Sequence, residues 1–202
     1  MSHVVLLGDS IFDNAAYVPG EPALIEQLAE SLPSGWTVEL RAVDGSVTVD
    51  VARQLDGLHA TTSHLVISSG GNDALRQVAQ LKQPVYDVLS ALAVLAPRQA
   101  VFARQFRLLM ERAAVLGRTV TVCTVYEAVP GLPASLKTAL SLYNDVIVRE
   151  TLRAGFRIVD LREICTEPED YSALSPIEPS SQGGRKIARA IREALDTDSA
   201  EP

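Results

Sequence analysis

Short apolar runs rich in β-branched residues alternate along this chain with longer segments whose apolar positions recur every three or four residues. The runs at 4–7, 37–41, 64–68, 119–124 and 156–161 predict five strands, and four of them are continuous enough to require burial on both faces. The segments at 23–32, 47–57, 100–117, 136–154 and 181–195 carry helical spacing. Strand and helix in regular succession predict an α/β protein with a parallel sheet wrapped by helices on both faces.

Helix punctuation agrees with this division. Pro22, Pro97 and Pro133 precede helical segments, and Gly35, Gly117 and Gly155 follow them. The stretch 74–98, bracketed in part by Pro84 and Pro97, reads as two short helices on the rim. One domain over residues 1–196 accounts for the length, and the acidic residues 197–202 read as a frayed tail.

Composition narrows the partners. The 202 residues are 47% hydrophobic and 21% charged with a formal net charge of −7, which excludes disordered and coiled-coil readings. No basic run exists to bind nucleic acid or an anionic membrane surface. The opening MSHVVLLGDS is too short in its apolar run for a signal peptide or a span, so a cytoplasmic protein without membrane insertion is expected. Cys123 and Cys165 form no CxxC pair or disulfide framework and read as buried thiols. Oligomeric state has no signature in the sequence.

Ligands of a parallel α/β sheet sit outside the carboxyl ends of its strands. The loops there hold GDSIFDN at 8–14, VDGSVT at 43–48 and SGGNDA at 69–74. Ser10, directly after the first strand, can act as a nucleophile if a base takes its proton and donors stabilise the oxyanion. Gly45 offers an unhindered backbone N–H and Asn72 a carboxamide N–H₂, and both follow strands next in order. Taken singly, each residue has an ordinary reading as a turn or cap residue.

Taken together, GDSIFDN, the Gly-Ser loop, GGND and the C-terminal PSSQGGRKIA resemble the SGNH, or GDSL-type, hydrolase superfamily over the whole chain. The resemblance implies a three-layer α/β/α sandwich with a five-stranded parallel sheet ordered 2-1-3-4-5. It also implies Ser10 as nucleophile, an oxyanion hole from Ser10 N–H, Gly45 N–H and Asn72, and small ester substrates without metal or organic cofactor.

One motif departs. Where the family has DxxH, this chain has Ser175-Pro176-Ile177-Glu178, so Ser175 stands at the acid position and Glu178 at the base position. His3 and His64 open strands at the opposite, amino edge of the sheet and His59 lies on the return toward it, beyond hydrogen-bond reach of Ser10. Glu178 is the candidate base, about two pK units less basic than imidazole unless burial raises it.

Asp9 and Asp73 read as turn-shaping carboxylates and Asp160 as a turn cap. Asp13 reads as a partner of the first helix's N-terminus or a substrate contact. Phe12, Tyr17 and Tyr126 fit either an acyl pocket or packing. Two other readings stay open: a binding module for small acylated or carboxylate ligands, and a flavodoxin-like nucleotide domain, against which stand the carboxylates of GDSIFDN.

Overall fold

The computed structural model describes residues 2–196; the tail at 197–202 lies outside the described residues. Five strands, β1 (His3–Leu7), β2 (Thr37–Leu40), β3 (Thr62–Ser68), β4 (Thr119–Cys123) and β5 (Arg157–Val159), form one sheet in the order 2-1-3-4-5. Every pairing is parallel, with Leu6 opposite both Leu40 and Val66, and Val122 opposite Ile158. All five carboxyl ends therefore open on one edge.

The helices are α1 (Leu24–Ser31), α2 (Thr48–Gln54), α3 (Gly71–Leu75), α4 (Val88–Ala114), α5 (Ala134–Arg153) and α6 (Ser181–Asp196). Alternate strand residues point to opposite faces, and two cores result. Val4, Leu6 and Val66 pack with Leu24 and Leu28 of α1 and Ile187 and Ile191 of α6. Val5, Leu7, Leu65 and Ile67 pack with Val51 of α2, Phe106 and Leu109 of α4 and Val146 of α5. Helices cover both faces of the sheet, giving a three-layer α/β/α sandwich.

The region from 74 to 98 departs from expectation. In place of two short rim helices there are α3, a 3₁₀ turn at Gln80–Lys82, and then the single helix α4. Pro97 lies inside α4 and does not begin it. A proline removes one N–H from a helix and disfavours the turn before it. Here the Arg98 guanidinium donates to the Val94 carbonyl in that turn. The helix beyond Pro97 is anchored by Phe102, Phe106, Leu109, Met110 and Ala113, all buried. Before Pro97 the helix leaves Val88, Leu89 and Leu92 exposed.

Two smaller corrections concern boundaries. β3 begins at Thr62, so His64 is its third residue, and β5 is three residues long. Among the described residues no helix is long and apolar enough to cross a membrane.

Candidate active site

Gly8 ends the run of β1 at a place only glycine fits: a Cβ there would lie 2.5 Å from the Ser68 carbonyl oxygen of the neighbouring strand. The chain then turns at once. Asp9 builds the turn, its carbonyl accepting from Phe12 N–H (3.1 Å) and Asp13 N–H (3.0 Å) and its Oδ1 from Ile11 N–H (3.2 Å). Ser10 sits at the head of this turn, 6% exposed. Its N–H meets no acceptor among the described residues.

The Gly8 peptide is held from outside by α2. Gln54 Oε1 accepts from Gly8 N–H at 2.7 Å, and its Nε2 donates back to the Gly8 carbonyl at 2.9 Å and to Ser46 Oγ at 3.3 Å. The second loop is drawn to the first by three more bonds. Val43 N–H donates to the Gly8 carbonyl (3.1 Å), Asp44 N–H to Asp13 Oδ2 (3.0 Å), and Tyr17 Oη to Asp44 Oδ2 (2.6 Å). Gly45 occupies the third position of the Val43–Ser46 turn with φ +79°, a conformation that favours glycine. Its N–H also has no acceptor among the described residues.

Asn72 lies on α3, past the end of β3. One of its amide hydrogens goes to the Ser46 carbonyl at 3.1 Å, leaving the second. Asp73 Oδ2 takes both the N–H and the hydroxyl of Thr48 at 3.0 Å, tying α3 to the start of α2. Asp73 thus spans two loops, a longer reach than the local turn expected. Asp13 likewise serves the second loop, since no α-helix begins until Leu24.

Glu178 arrives from the other side of the edge. Its N–H closes a turn on Ser175 (3.0 Å) and its carbonyl accepts from Ser172 N–H (2.8 Å). Tyr126 donates its hydroxyl to the Ile177 carbonyl at 2.7 Å, and Asn14 bridges Pro179 O (3.3 Å) to Leu24 N–H (2.9 Å). Held this way, Glu178 is 5% exposed, and its Oε2 is buried without a hydrogen-bond partner. Burial pushes its carboxyl up to about 7, assisted by the charge of Asp44 and opposed by the adjoining Ser10 hydroxyl. Asp9 is also raised to about 7, by burial first, against the pull of the Ile11 N–H, with the charges of Glu178 and Asp73 adding to the rise.

Asp9, Ser10, Asn72 and Glu178 line the mouth of one cavity. Gly45 is not among its lining residues. The sequence reading missed most of the wall, which comes from Leu75, Val78, Leu81, Leu95, Leu136 and Leu140. Tyr126 lines the cavity as one of its two readings foresaw, whereas Phe12 is fully buried in the α1/α6 core and Tyr17 is bound to Asp44. The roles of Gln54, Asn14 and Asn144, whose carboxamide grips both sides of the Val125 peptide, were also unforeseen.

The three histidines stay at the amino edge or near it. His3 contacts Thr37 and Glu39, His64 lies 5.0 Å from the Trp36 ring, and His59 is bonded to Thr61. Asp160 pairs with Arg162 and Thr124 in the loop after β5. Cys123 and Cys165 are free and buried, and burial raises both thiols, Cys165 to about 12. Among the described residues no group of three or more His, Cys, Asp or Glu is arranged to hold a metal ion.

A parallel α/β/α sandwich with a serine, a buried carboxyl and a carboxamide together at its carboxyl edge has the architecture of the SGNH hydrolase superfamily. The chain belongs to the GDSL-like Lipase/Acylhydrolase family, whose model matches residues 6–186. Solved structures with the same fold include the lipase Lip_vut3 from a goat rumen metagenome, 16% identical, TM-score 0.74, covering 96% of this chain and 97% of that one. An acetyl xylan esterase from Geobacillus stearothermophilus is 17% identical, TM-score 0.71, covering 96% and 94%. A lipolytic G-D-S-L family protein from Veillonella parvula is 14% identical, TM-score 0.72, covering both chains fully. No curated protein sequence matches the chain.

Proposed function

We propose that this hydrolase-family chain is a serine esterase that cleaves carboxylic esters through an acyl-enzyme on Ser10, with Glu178 as the base. The observation that carries the reading is the buried Glu178 carboxyl beside the Ser10 hydroxyl, with one oxygen lacking any partner. A carboxyl raised to about 7 stands close to an unperturbed imidazole in basicity, so the replacement of histidine need not cost proton affinity.

In the reaction, Ser10 Oγ attacks the ester carbonyl carbon as its proton passes to Glu178. The oxyanion is received by the Ser10 and Gly45 N–H groups and the second amide hydrogen of Asn72. The protonated Glu178 then gives its proton to the departing alkoxide. Water, deprotonated by Glu178, attacks the acyl-enzyme, and as the tetrahedral intermediate collapses Glu178 returns that proton to Ser10 Oγ and the acid is released. The cost lies in charge: Glu178 is neutral when the oxyanion forms, where an imidazolium would attract it, which makes for a slower enzyme than one with Ser-His-Asp.

Intact mass after incubation with a fluorophosphonate tests this. One adduct on the wild type, absent from Ser10→Ala and slowed in Glu178→Gln, is the expected result. An adduct indifferent to Glu178→Gln would move the base elsewhere. Absence of any adduct would favour the binding-module reading, which rests on the missing imidazole.

A further inference from the structure

Beyond the mouth at Ser10, the cavity continues between the exposed half of α4 and the beginning of α5, and what it is made of restricts the substrate. Ala74, Leu75, Val78 and Leu81 form one wall, Leu95 the α4 wall, and Leu136, Ala139, Leu140 and Tyr143 the α5 wall. The one cation in this lining, Arg98, is already engaged, its Nε by Gln77 Oε1 at 3.1 Å and its Nη1 by the Val94 carbonyl. Apart from the Tyr143 hydroxyl, the Arg98 guanidinium and the side chains of Gln77 and Gln99, the wall beyond the serine end is apolar and offers little to a sugar hydroxyl.

Size follows from volume. The cavity measures about 120 Å³, and one water needs about 10–15 Å³ of such space, so there is room for on the order of ten bodies of that size. A methylene is comparable in size to a water. An acetyl group would leave most of an apolar slot filled with water that cannot hydrogen-bond to it, and an unfilled apolar cavity forfeits contacts.

Charge selects further. Asp9 and Glu178 line the serine end, with the charge of Asp73 acting on Asp9 and that of Asp44 on Glu178. Where Asp9 and Glu178 are ionised, above about pH 7, an anionic ligand head is repelled there, whereas an uncharged ester is not. The same repulsion works on the product, since the acid released beside these carboxyls ionises and is driven out.

On the reading that Ser10 is the nucleophile, we infer that the substrate is an uncharged ester of a straight, medium-length acyl chain, seated in the α3–α4–α5 slot with its carbonyl at Ser10. A chain of about six to ten carbons fills the space. Acetyl esters and free fatty acids are poor ligands of the same site.

The test is a series of p-nitrophenyl esters from acetate to dodecanoate, beside thermal shifts with octanamide and acetamide, on the wild type, Ser10→Ala, Ala139→Phe and Leu95→Trp. Burying a methylene is worth up to about fourfold in affinity, so kcat/KM is expected to rise at least about tenfold from acetate to octanoate and then fall. Ala139→Phe and Leu95→Trp, on separate walls, should each collapse the octanoate-to-acetate ratio, and octanamide but not acetamide should raise Tm, in Ser10→Ala as well. Acetate hydrolysed as fast as octanoate, or a ratio that both fillings leave untouched, would overturn the inference. Should no ester be hydrolysed while octanamide still raises Tm and the fillings abolish that rise, the slot stands and the nucleophile reading falls. Octanamide without effect on any folded variant overturns the slot.

Discussion

Gln54 and the peptide at Gly8 bind each other twice, N–H to Oε1 at 2.7 Å and Nε2 to carbonyl at 2.9 Å, so that a side chain of α2 completes the end of β1 as a neighbouring strand would. The same Nε2 reaches Ser46, whose carbonyl holds Asn72. One carboxamide thus sets the turn that carries Ser10 and the loop that orients a proposed oxyanion donor.

Gln54→Leu removes the acceptor of the buried Gly8 N–H and one of the two donors to its carbonyl, leaving only Val43 N–H, and should cost about 1–3 kcal/mol of stability. If the residue positions the site, kcat should fall by about tenfold or more with KM nearly unchanged, a split characteristic of lost transition-state contacts. Chemical denaturation beside steady-state kinetics measures both. A stability loss with unaltered kcat would reduce Gln54 to a structural role.

Compared with the salt-bridged carboxylates of the same fold, such as Glu150 and Asp160, the response of Glu178 and Asp9 to pH has the opposite sense. Their carboxyls are raised in the folded state to about 7, so between their unfolded values near 4 and about 7 the folded protein holds more protons than the unfolded one. The stability they contribute is therefore full at low pH and is lost as pH rises through about 7. Glu178→Gln, which cannot ionise, should stabilise the protein at pH 8 by on the order of 1–3 kcal/mol and do little at pH 4.5. Denaturant melts at the two pH values give the comparison; equal effects at both would contradict the assignment.

Activity should run the other way. The base must be ionised to accept the Ser10 proton, so kcat/KM rises with pH on a limb centred near 7. A pH profile flat from about 5 to 9 would exclude Glu178 as the base.

Rebuilding Ser175→Asp with Glu178→His restores the family's DxxH spacing. Because Glu178 is already raised to about 7, the gain should come from the charge of the imidazolium more than from basicity. An increase of about tenfold or more in kcat is expected, with Glu178→His alone giving less. Stopped assays with an activated ester suffice to rank the three proteins.

Much of this was legible in the sequence, and for a physical reason. β1, β3 and β4, buried on both faces, leave unbroken apolar runs such as VVLL at 4–7 and HLVIS at 64–68, while the edge strands β2 and β5 are only partly buried and were read from their place in the alternation. Ser10, Asn72 and Glu178, which line one cavity, could be singled out, the first two from their local turn motifs and Glu178 from its place before Pro179-Ser180. Gln54, Asn14 and Asn144 could not, since a carboxamide that grips a peptide over 46, 165 or 19 residues has no local pattern. Nor could α4: Pro97 signals a helix start on local grounds, and only the packing of Phe102 and Phe106 onto the sheet carries the helix through it.

That proline divides α4 into unequal parts. The residues beyond it are held by the sheet, while Val88, Leu89 and Leu92 before it are mostly exposed and help no core. Amide hydrogens of the first turns are accordingly protected only by the helix itself, and they exchange through local opening well before those near Phe106. The wall that Leu95 lends to the slot thus belongs to the part of α4 that the sheet does not hold, and local opening there can admit a medium-length chain with the sheet intact.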